Sequence, residues 1–282
     1  MPMSLPPQTT LGAVSLTISN LKQSLAFYQN NLGLTLQRQE GDMAWLGAGS
    51  RTFLILTENP HARPPTRNTG LYHFAILTPS RHALAQTLRR LAETRTPVTG
   101  FADHGVSEAI YLPDPDGNGI EIYRDRPRTE WPYENGQLQM VTDPIDLDGI
   151  MAELHQDDPW TGLHPDTILG HMHLHVANIP QSVQFYRDVI GLDLMQYYGN
   201  SAGFLSAGGY HHHLGINTWN GIGAPPPPPG SIGLRWFSIV LPDQASLAQA
   251  VEQIQANGIP LEAQGESWFL RDPSQNGVVL TA

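Results

Sequence analysis

The chain has 282 residues, of which 40% are hydrophobic and 15% are charged, and its formal net charge is −11. This length allows two average domains, and a negative charge without any Lys/Arg run argues against a nucleic-acid-binding protein. The absence of cysteine excludes disulfides, thiolate catalysis and cysteine-ligated metal sites. The N-terminal MPMSLPPQTT does not resemble a secretory signal, and no apolar run approaches a membrane span, so we expect a soluble, cytoplasmic protein.

The sequence contains an internal repeat. The segment LGAVSLTISNLKQSLAFYQNNLGLTL starts at Leu11, and its counterpart LGHMHLHVANIPQSVQFYRDVIGLDL starts at Leu169. Near the end of each half, DPDGNGIEIY from Asp114 matches DPSQNGVVLT from Asp272. We therefore predict two related halves that a polar, acidic linker joins. The predicted divisions are residues 9–128, the linker 129–165, and residues 166–282.

Each half divides again into two quarters, and every quarter opens with a β-prone run, continues with a helical pattern and ends with further β-prone runs. Asn20 is a plausible N-cap of the first helix because Gln23 follows three residues later, and Gly33 suits its C-terminal end. The pattern predicts an α+β fold of four βαβββ modules. The helices share apolar stripes that indicate core packing: Leu21, Leu25, Tyr28, Leu32; Leu84, Leu88, Leu91; Ile179, Val183, Tyr186, Ile190; Leu247, Val251, Ile254.

Histidine is the most informative residue type, because six of the twelve histidines fall in two clusters within the third module. His171, His173 and His175 alternate along a predicted strand, so they are expected to line one face. The run from His211 to His213 lies in the segment GGYHHHLGIN. A structural role is also open for His173 and His175, since buried histidines usually find a hydrogen-bond partner.

The four-module arrangement resembles the vicinal oxygen chelate superfamily, which includes glyoxalase I, fosfomycin-resistance proteins and extradiol ring-cleaving dioxygenases. The resemblance implies that the modules pair into two cupped sheets or barrels. The stretch HGVSEAIYLPDPDGNGIE, from His104 to Glu121, is similar to the extradiol dioxygenase signature. Within it, D-P-D-G-N-G alone is a weak signal because it also suits a turn. Tyr111 and Glu121 are not expected on one strand, because the turn lies between them, so the turn must fold them back together.

In this superfamily, metal ligands come from the first strand of each paired module and the last strand of one of them. The corresponding positions are Ala13, His73, His171 and Trp236 on first strands, and Glu121 and Val279 on last strands. Neither sequential pairing of modules retains a complete ligand set. Pairing module two with module three brings together His73, Glu121 and His171, a facial triad suited to Fe(II), with Mn(II) compatible. We therefore predict one site across the halves, with modules one and four as a metal-free scaffold.

The same resemblance assigns roles around this site. In a regular strand His211 and His213 would face opposite to His212, so only one parity can enter the cavity. His212 is expected to be the acid–base group at the oxygen side, with His213 as the alternative if the register differs by one. Tyr111 and His104 are expected to hydrogen-bond and orient the substrate. The implied reaction is ring opening of a small aromatic diol, a catechol, by O2 to a hydroxymuconic-semialdehyde-type product, as in the four-module bacterial catechol 2,3-dioxygenases.

Two other functions fit the same superfamily. A glyoxalase I-like isomerase would need a second carboxylate ligand and a pocket for a thiol cofactor. A non-catalytic binding protein, such as those that sequester drugs on this fold, would not need a complete triad. The many Gly and Pro residues in loops are compatible with a homo-oligomer but do not require one.

Overall fold

The computed structural model of the protein describes residues 4–155 and 158–282. Each predicted quarter folds as strand, helix and three strands, so the expected α+β architecture of four βαβββ modules is confirmed. Module one consists of β1 (Thr10–Ile18), α1 (Leu21–Ala26), β2 (Thr35–Glu40), β3 (Met43–Ala48) and β4 (Arg51–Glu58). Module two consists of β5 (Gly70–Leu77), α2 (Arg81–Glu93), β6 (Gly100–Asp103), β7 (Ser107–Pro113) and β8 (Gly119–Asp125).

The second half repeats this order after a connecting segment with short elements of its own. The connection contains β9 (Tyr133–Glu134), β10 (Gln137–Leu138) and α3 (Leu147–Met151). Module three consists of β11 (Ile168–His175), α4 (Ile179–Gln184), β12 (Asp193–Tyr198), β13 (Ala202–Ser206) and β14 (Leu214–Asn217). Module four consists of β15 (Gly233–Val240), α5 (Gln244–Ala256), β16 (Glu262–Gln264), β17 (Ser267–Arg271) and β18 (Gly277–Thr281).

The first helix begins as its sequence predicts and ends differently. Asn20 caps α1 by accepting a 2.9 Å hydrogen bond from the backbone N–H of Gln23. After one and a half turns the helix widens into a π-helical segment, Phe27–Asn31, and α4 widens likewise over Phe185–Ile190. The apolar stripe runs through both segments without a break, so its spacing did not distinguish a π-helical turn from an α-helical one. Gly33 follows with φ of 77°, as expected at a helix end.

The modules pair across the two halves, as the distribution of ligand positions predicted. One eight-stranded sheet has the order β16-β17-β18-β15-β1-β4-β3-β2, which joins module four to module one. The other has the order β12-β13-β14-β11-β5-β8-β7-β6, which joins module three to module two. In each sheet the first strands of the two modules pair antiparallel at the centre, β1 with β15 and β5 with β11. The boundaries of the two sequence halves stay a prediction.

The connecting segment packs against module two. Its side chains of Trp131, Leu138 and Ile150 are buried. Asp103 and Asp143 exchange two backbone hydrogen bonds of 2.9 Å, so the end of β6 holds this segment in place. Among the helices in the described ranges, none has the length and apolar character needed to cross a membrane.

Candidate metal centre

The central strands of the second sheet bring three predicted ligand positions together. His171 on β11 pairs with Ala75 on β5, and Ala75 pairs with Glu121 on β8, so one row across three strands contains His171 and Glu121. A register shift in β11 falls between Leu169 and His171. Gly170 lies in this shift, and a Cβ there would lie 1.9 Å from the phenol oxygen of Tyr123. Position 170 therefore requires glycine, and the register shift at this position orients the side chain of His171.

The donor atoms of the triad converge. Nε2 of His73 lies 3.0 Å from Oε2 of Glu121, and Nε2 of His171 lies 3.1 Å from the same oxygen. Two ligands about 2.1 Å from one ion and at right angles to each other lie about 3.0 Å apart. Within residues 4–155 and 158–282, this is the one group of three His, Asp or Glu side chains whose donor atoms all lie within 4.8 Å of one another. The spacing fits a shared metal ion.

The electrostatics of the triad also fit a cation. Burial alone raises the pKa of Glu121, but its interactions with His171 and next with His73 outweigh burial and hold that pKa well below its usual value. Burial lowers the pKa of His171 to about 4. At neutral pH the site therefore holds an ionised carboxylate and a neutral imidazole, which are the protonation states that metal ligands require. Nε2 of His73 is buried without a hydrogen-bond partner despite facing Glu121, an orientation that a cation between them explains.

Tyr111 and Glu121 are direct partners in the antiparallel pairing of β7 and β8, so the predicted fold-back of the turn is confirmed. Nδ1 of His104 lies 2.6 Å from the carbonyl oxygen of Val141, which only accepts, so this nitrogen carries the proton. When the ring is neutral, Nε2 of His104 accepts a 2.6 Å hydrogen bond from the phenol of Tyr111. Burial, and next the charge of Glu121, raise the pKa of Tyr111 well above 10, so the phenol keeps its proton at neutral pH.

The run His211–His213 does not form the regular strand that its alternation argument assumed, so that expectation is wrong. These residues precede β14, and a turn with positive φ at Gly208 and Gly209 leads into them. Backbone hydrogen bonds of His213 to Leu205 and Met172 set where the chain joins the sheet. His212 nevertheless lines the cavity beside the triad, whereas His213 lines a separate, smaller one.

His212 packs directly on the triad. Its ring centroid lies 4.1 Å from that of His171. Burial, and next the proximity of His171, lower the pKa of His212 well below the ordinary value. The imidazole is therefore neutral at neutral pH and is able to accept a proton.

These groups surround one cavity of about 370 Å³. Five of the six predicted site residues line it: His73, His104, Tyr111, Glu121 and His212. The sixth, His171, is only 1% exposed and lies behind the wall, with its Nε2 directed at Glu121. The volume falls in the range of small-molecule sites, which are mostly apolar with a few polar groups.

The other two histidines of β11 take different roles. His173 is buried at the cavity wall, where its ring centroid lies 5.0 Å from that of His73 and its Nε2 lacks a hydrogen-bond partner. Nδ1 of His175 instead lies 2.7 Å from Oδ1 of Asn217. The structural interpretation therefore fits His175, whereas His173 belongs to the site.

Sequence reasoning missed several residues of the site. Tyr72 and Trp219 form an aromatic side of the cavity, with ring centroids 5.0 Å apart. The connecting segment contributes Met140 and Val141 to the wall. No pattern in the sequence tied this apolar pair or either aromatic residue to the triad.

Comparison with known proteins identifies two matching segments of the chain. Residues 10–122 and 168–280 match the model of the Glyoxalase/Bleomycin resistance protein/Dioxygenase superfamily. Over 275 residues the chain is 44% identical to the catechol-2,3-dioxygenase of Bacillus subtilis (strain 168), with 96% of each chain covered.

Two solved structures show the same fold at low sequence identity. A crystal structure from Bacillus subtilis subsp. subtilis str. 168 has a TM-score of 0.65 at 14% identity, and the match covers 99% of this chain and 86% of that chain. Glyoxalase I from Zea mays has a TM-score of 0.60 at 17% identity, and the match covers 97% of this chain and 92% of that chain.

Proposed function

The chain belongs to the glyoxalase/bleomycin resistance protein/dioxygenase superfamily, and from this membership we propose that it is an extradiol dioxygenase that opens the ring of a catechol with O2. The observation that carries the proposal is the triad of His73, Glu121 and His171 beside a cavity that also presents His212 and Tyr111. The relative of 44% identity is itself named a catechol-2,3-dioxygenase, which supports the same reaction.

We propose Fe(II) as the metal. Two imidazoles and one carboxylate form the ligand set of non-haem Fe(II) oxygenases, which leaves open positions for other ligands. When bound, such a metal supplies Lewis acidity toward a diol and a redox partner for O2. Mn(II) accepts the same ligands, so metal analysis of the active protein has to distinguish the two.

The chain's own residues supply proton handling and orientation. His212 is neutral and lines the cavity, so we assign it to accept a proton from the bound diol and to return it later in the reaction. Tyr111, held by His104, directs its hydroxyl oxygen at the space in front of Glu121. The aromatic side formed by Tyr72 and Trp219 suits the face of a planar ring.

The two alternatives fit the cavity less well. Among the described residues that line it, Glu121 is the one carboxylate, whereas a glyoxalase I-like isomerase is expected to use a second. A sequestering protein needs neither the triad nor a neutral histidine beside it. Assembly into a homo-oligomer and a cytoplasmic location remain predictions from the sequence.

The test is anaerobic loading of the purified protein with Fe(II), followed by addition of catechol and air. We expect a yellow ring-opened product and a matching consumption of O2. Protein loaded with Mn(II) or Zn(II), and the Glu121→Gln variant treated with Fe(II), serve as controls. If the iron-loaded protein binds one ion per chain but opens none of a panel of simple catechols, the dioxygenase proposal fails.

A further inference from the structure

A buried histidine connects the proposed acid–base residue to a carboxylate outside the cavity. Nδ1 of His211 lies 2.8 Å from Nδ1 of His212, and Nε2 of His211 lies 2.9 Å from Oδ1 of Asp125. The side chain of His211 is completely buried, whereas 27% of the side chain of Asp125 is exposed. The three side chains thus form one continuous hydrogen-bonded row, of which only His212 lines the large cavity.

The strand that carries Glu121 also positions Asp125. Both residues lie on β8, four positions apart, so their side chains extend from the same face of the strand. The phenol of Tyr210 donates a 3.2 Å hydrogen bond to the same Oδ1 that faces His211. The phenol of Tyr123 lies 2.8 Å from that of Tyr210 and extends the network. The carboxylate is therefore held in a fixed orientation toward His211.

When both imidazole rings are neutral, the hydrogen bonds among Asp125, His211 and His212 allow only one arrangement of protons. An ionised carboxylate only accepts, so Nε2 of His211 must carry its proton. Nδ1 of His211 then carries no proton and can only accept, so Nδ1 of His212 has to donate a hydrogen bond to it. The remaining nitrogen of His212, Nε2, is left without a proton on the opposite edge of the ring. Trp131 and Tyr210 enclose His211, with ring centroids at 5.4 and 4.0 Å.

We propose that Asp125, acting through His211, fixes the tautomer of His212 so that its Nε2 carries no proton and faces the cavity. Asp125 and His211 are positioning residues in this arrangement, since neither lines the cavity. The use of that nitrogen as a proton acceptor rests on the proposed dioxygenase function, whereas the tautomer itself does not. A base must present its lone pair before the substrate binds, and a carboxylate–imidazole pair supplies this without entering the site.

Nitrogen-15 NMR of the histidine side chains in the metal-free protein tests the tautomer directly, because ring nitrogens with and without a proton have well-separated shifts. The signals are assigned with the His211→Gln and His212→Gln variants. We expect a proton on Nδ1 of His212 and on Nε2 of His211. A proton on Nε2 of His212 in the unmodified protein would overturn the proposal, whether or not any catechol is cleaved.

Variants of Asp125 test the connection. Asp125→Leu removes the acceptor, so we expect Nε2 of His212 to become partly protonated and kcat of the iron-loaded enzyme to fall about tenfold to a hundredfold. KM is expected to stay within about twofold because the cavity wall is unchanged. Asp125→Asn retains a carbonyl oxygen, and Tyr210→Phe retains the carboxylate, so both controls should keep the original tautomer.

Circular dichroism and iron content establish that each variant is folded and loaded. If Asp125→Leu does not fold, Asp125→Ala replaces it, because alanine also lacks an acceptor for Nε2 of His211. An unchanged His212 tautomer in folded Asp125→Leu or Asp125→Ala contradicts the proposal. Failure of the dioxygenase function appears separately, as absence of turnover in every protein while the nitrogen shifts still follow the Asp125 substitutions.

Discussion

The phenol of Tyr28 donates a 2.8 Å hydrogen bond to Oδ2 of Asp114, and both side chains are buried. Oδ1 of Asp114 accepts from the backbone N–H groups of Asp116 and Asn118 at 2.9 and 2.8 Å. Asp114 thereby holds the turn that leads into β8, the strand that carries Glu121. A residue of module one thus supports the candidate metal centre between modules two and three.

We expect Tyr28→Phe to weaken metal binding as well as stability. The free energy of unfolding should fall by about 1–3 kcal/mol, because a buried carboxylate loses a hydrogen bond. Iron affinity, measured by titration against a competing chelator, should fall because the turn before β8 loosens.

The repeat supplies a matched control for this variant. Tyr186 donates a 2.9 Å hydrogen bond to Asp272 at the corresponding turn before β18, which carries no ligand. Tyr186→Phe should lower the free energy of unfolding by a similar amount in urea and leave iron affinity unchanged. Equal losses of iron affinity in both variants would show that the effect is one of general stability.

Single substitutions should separate the proposed ligands from the proposed base. His73→Ala removes a nitrogen 3.0 Å from Glu121, and we expect the purified variant to hold much less than one iron per chain. His212→Ala should retain full iron and lose turnover, since His212 contacts His171 but is assigned no bond to the metal. Metal analysis alongside O2 consumption checks both, and the reverse pattern would exchange the two roles.

We expect Tyr111→Phe to lower kcat about a hundredfold at unchanged iron content, because it removes the hydroxyl and keeps the ring that fills the wall. The phenol faces the site opposite Glu121 and is anchored by His104. Steady-state kinetics on the iron-loaded variant provide the measurement. Turnover equal to that of the unmodified enzyme would remove Tyr111 from the reaction.

His213 should make the stability of the metal-free protein depend on pH. Burial lowers its pKa to about 4 in the folded state, and its Nδ1 accepts a 3.2 Å hydrogen bond from the backbone N–H of Ala207. The unfolded chain, with an ordinary pKa of about 6.5, therefore binds more protons at mildly acidic pH. This stabilising contribution is complete above about pH 6.5 and is lost as the pH falls toward 4.

Urea unfolding in the presence of a chelator checks this prediction. Between pH 7.5 and pH 5, the unmodified protein should lose about 2 kcal/mol more than His213→Gln, whose side chain does not titrate. The comparison between the two proteins cancels the contributions of the other histidines and of the carboxylates. Parallel losses in the two proteins would mean that the pKa of His213 does not differ between the folded and the unfolded chain.

The pairing of modules could be predicted from the sequence because donor side chains remain at only some of the equivalent positions of the repeat. His73, Glu121 and His171 retain donor side chains, whereas Ala13, Trp236 and Val279 do not. This complementary loss alone predicts the pairing of modules two and three, and the sheet order agrees. Local rules were sufficient for the helix cap at Asn20 and for the turn that places Tyr111 opposite Glu121.

The rest of the site depends on contacts that no local pattern encodes. The alternation rule applies only inside a regular strand, and it failed for His211–His213 because backbone bonds to β13 and β11 end the loop at His213. The connecting segment was interpreted as a polar linker, yet Val141 accepts from His104 inside the cavity wall. The spacing of Asp125 from Glu121 places both residues on one face of a strand, but the histidine partner of Asp125 is far away in the sequence.

The pairing of strands from different halves also determines how a growing chain must fold. β1 leaves the ribosome first but pairs with β15 in the last module, and β5 has to wait for β11. Until those partners are synthesised, both strands present unpaired backbone groups on which another chain can add a strand. A chain that terminates before β15 therefore leaves β1 without its partner, and aggregation of such truncated products is the expected consequence of a fold whose two sheets are each completed late.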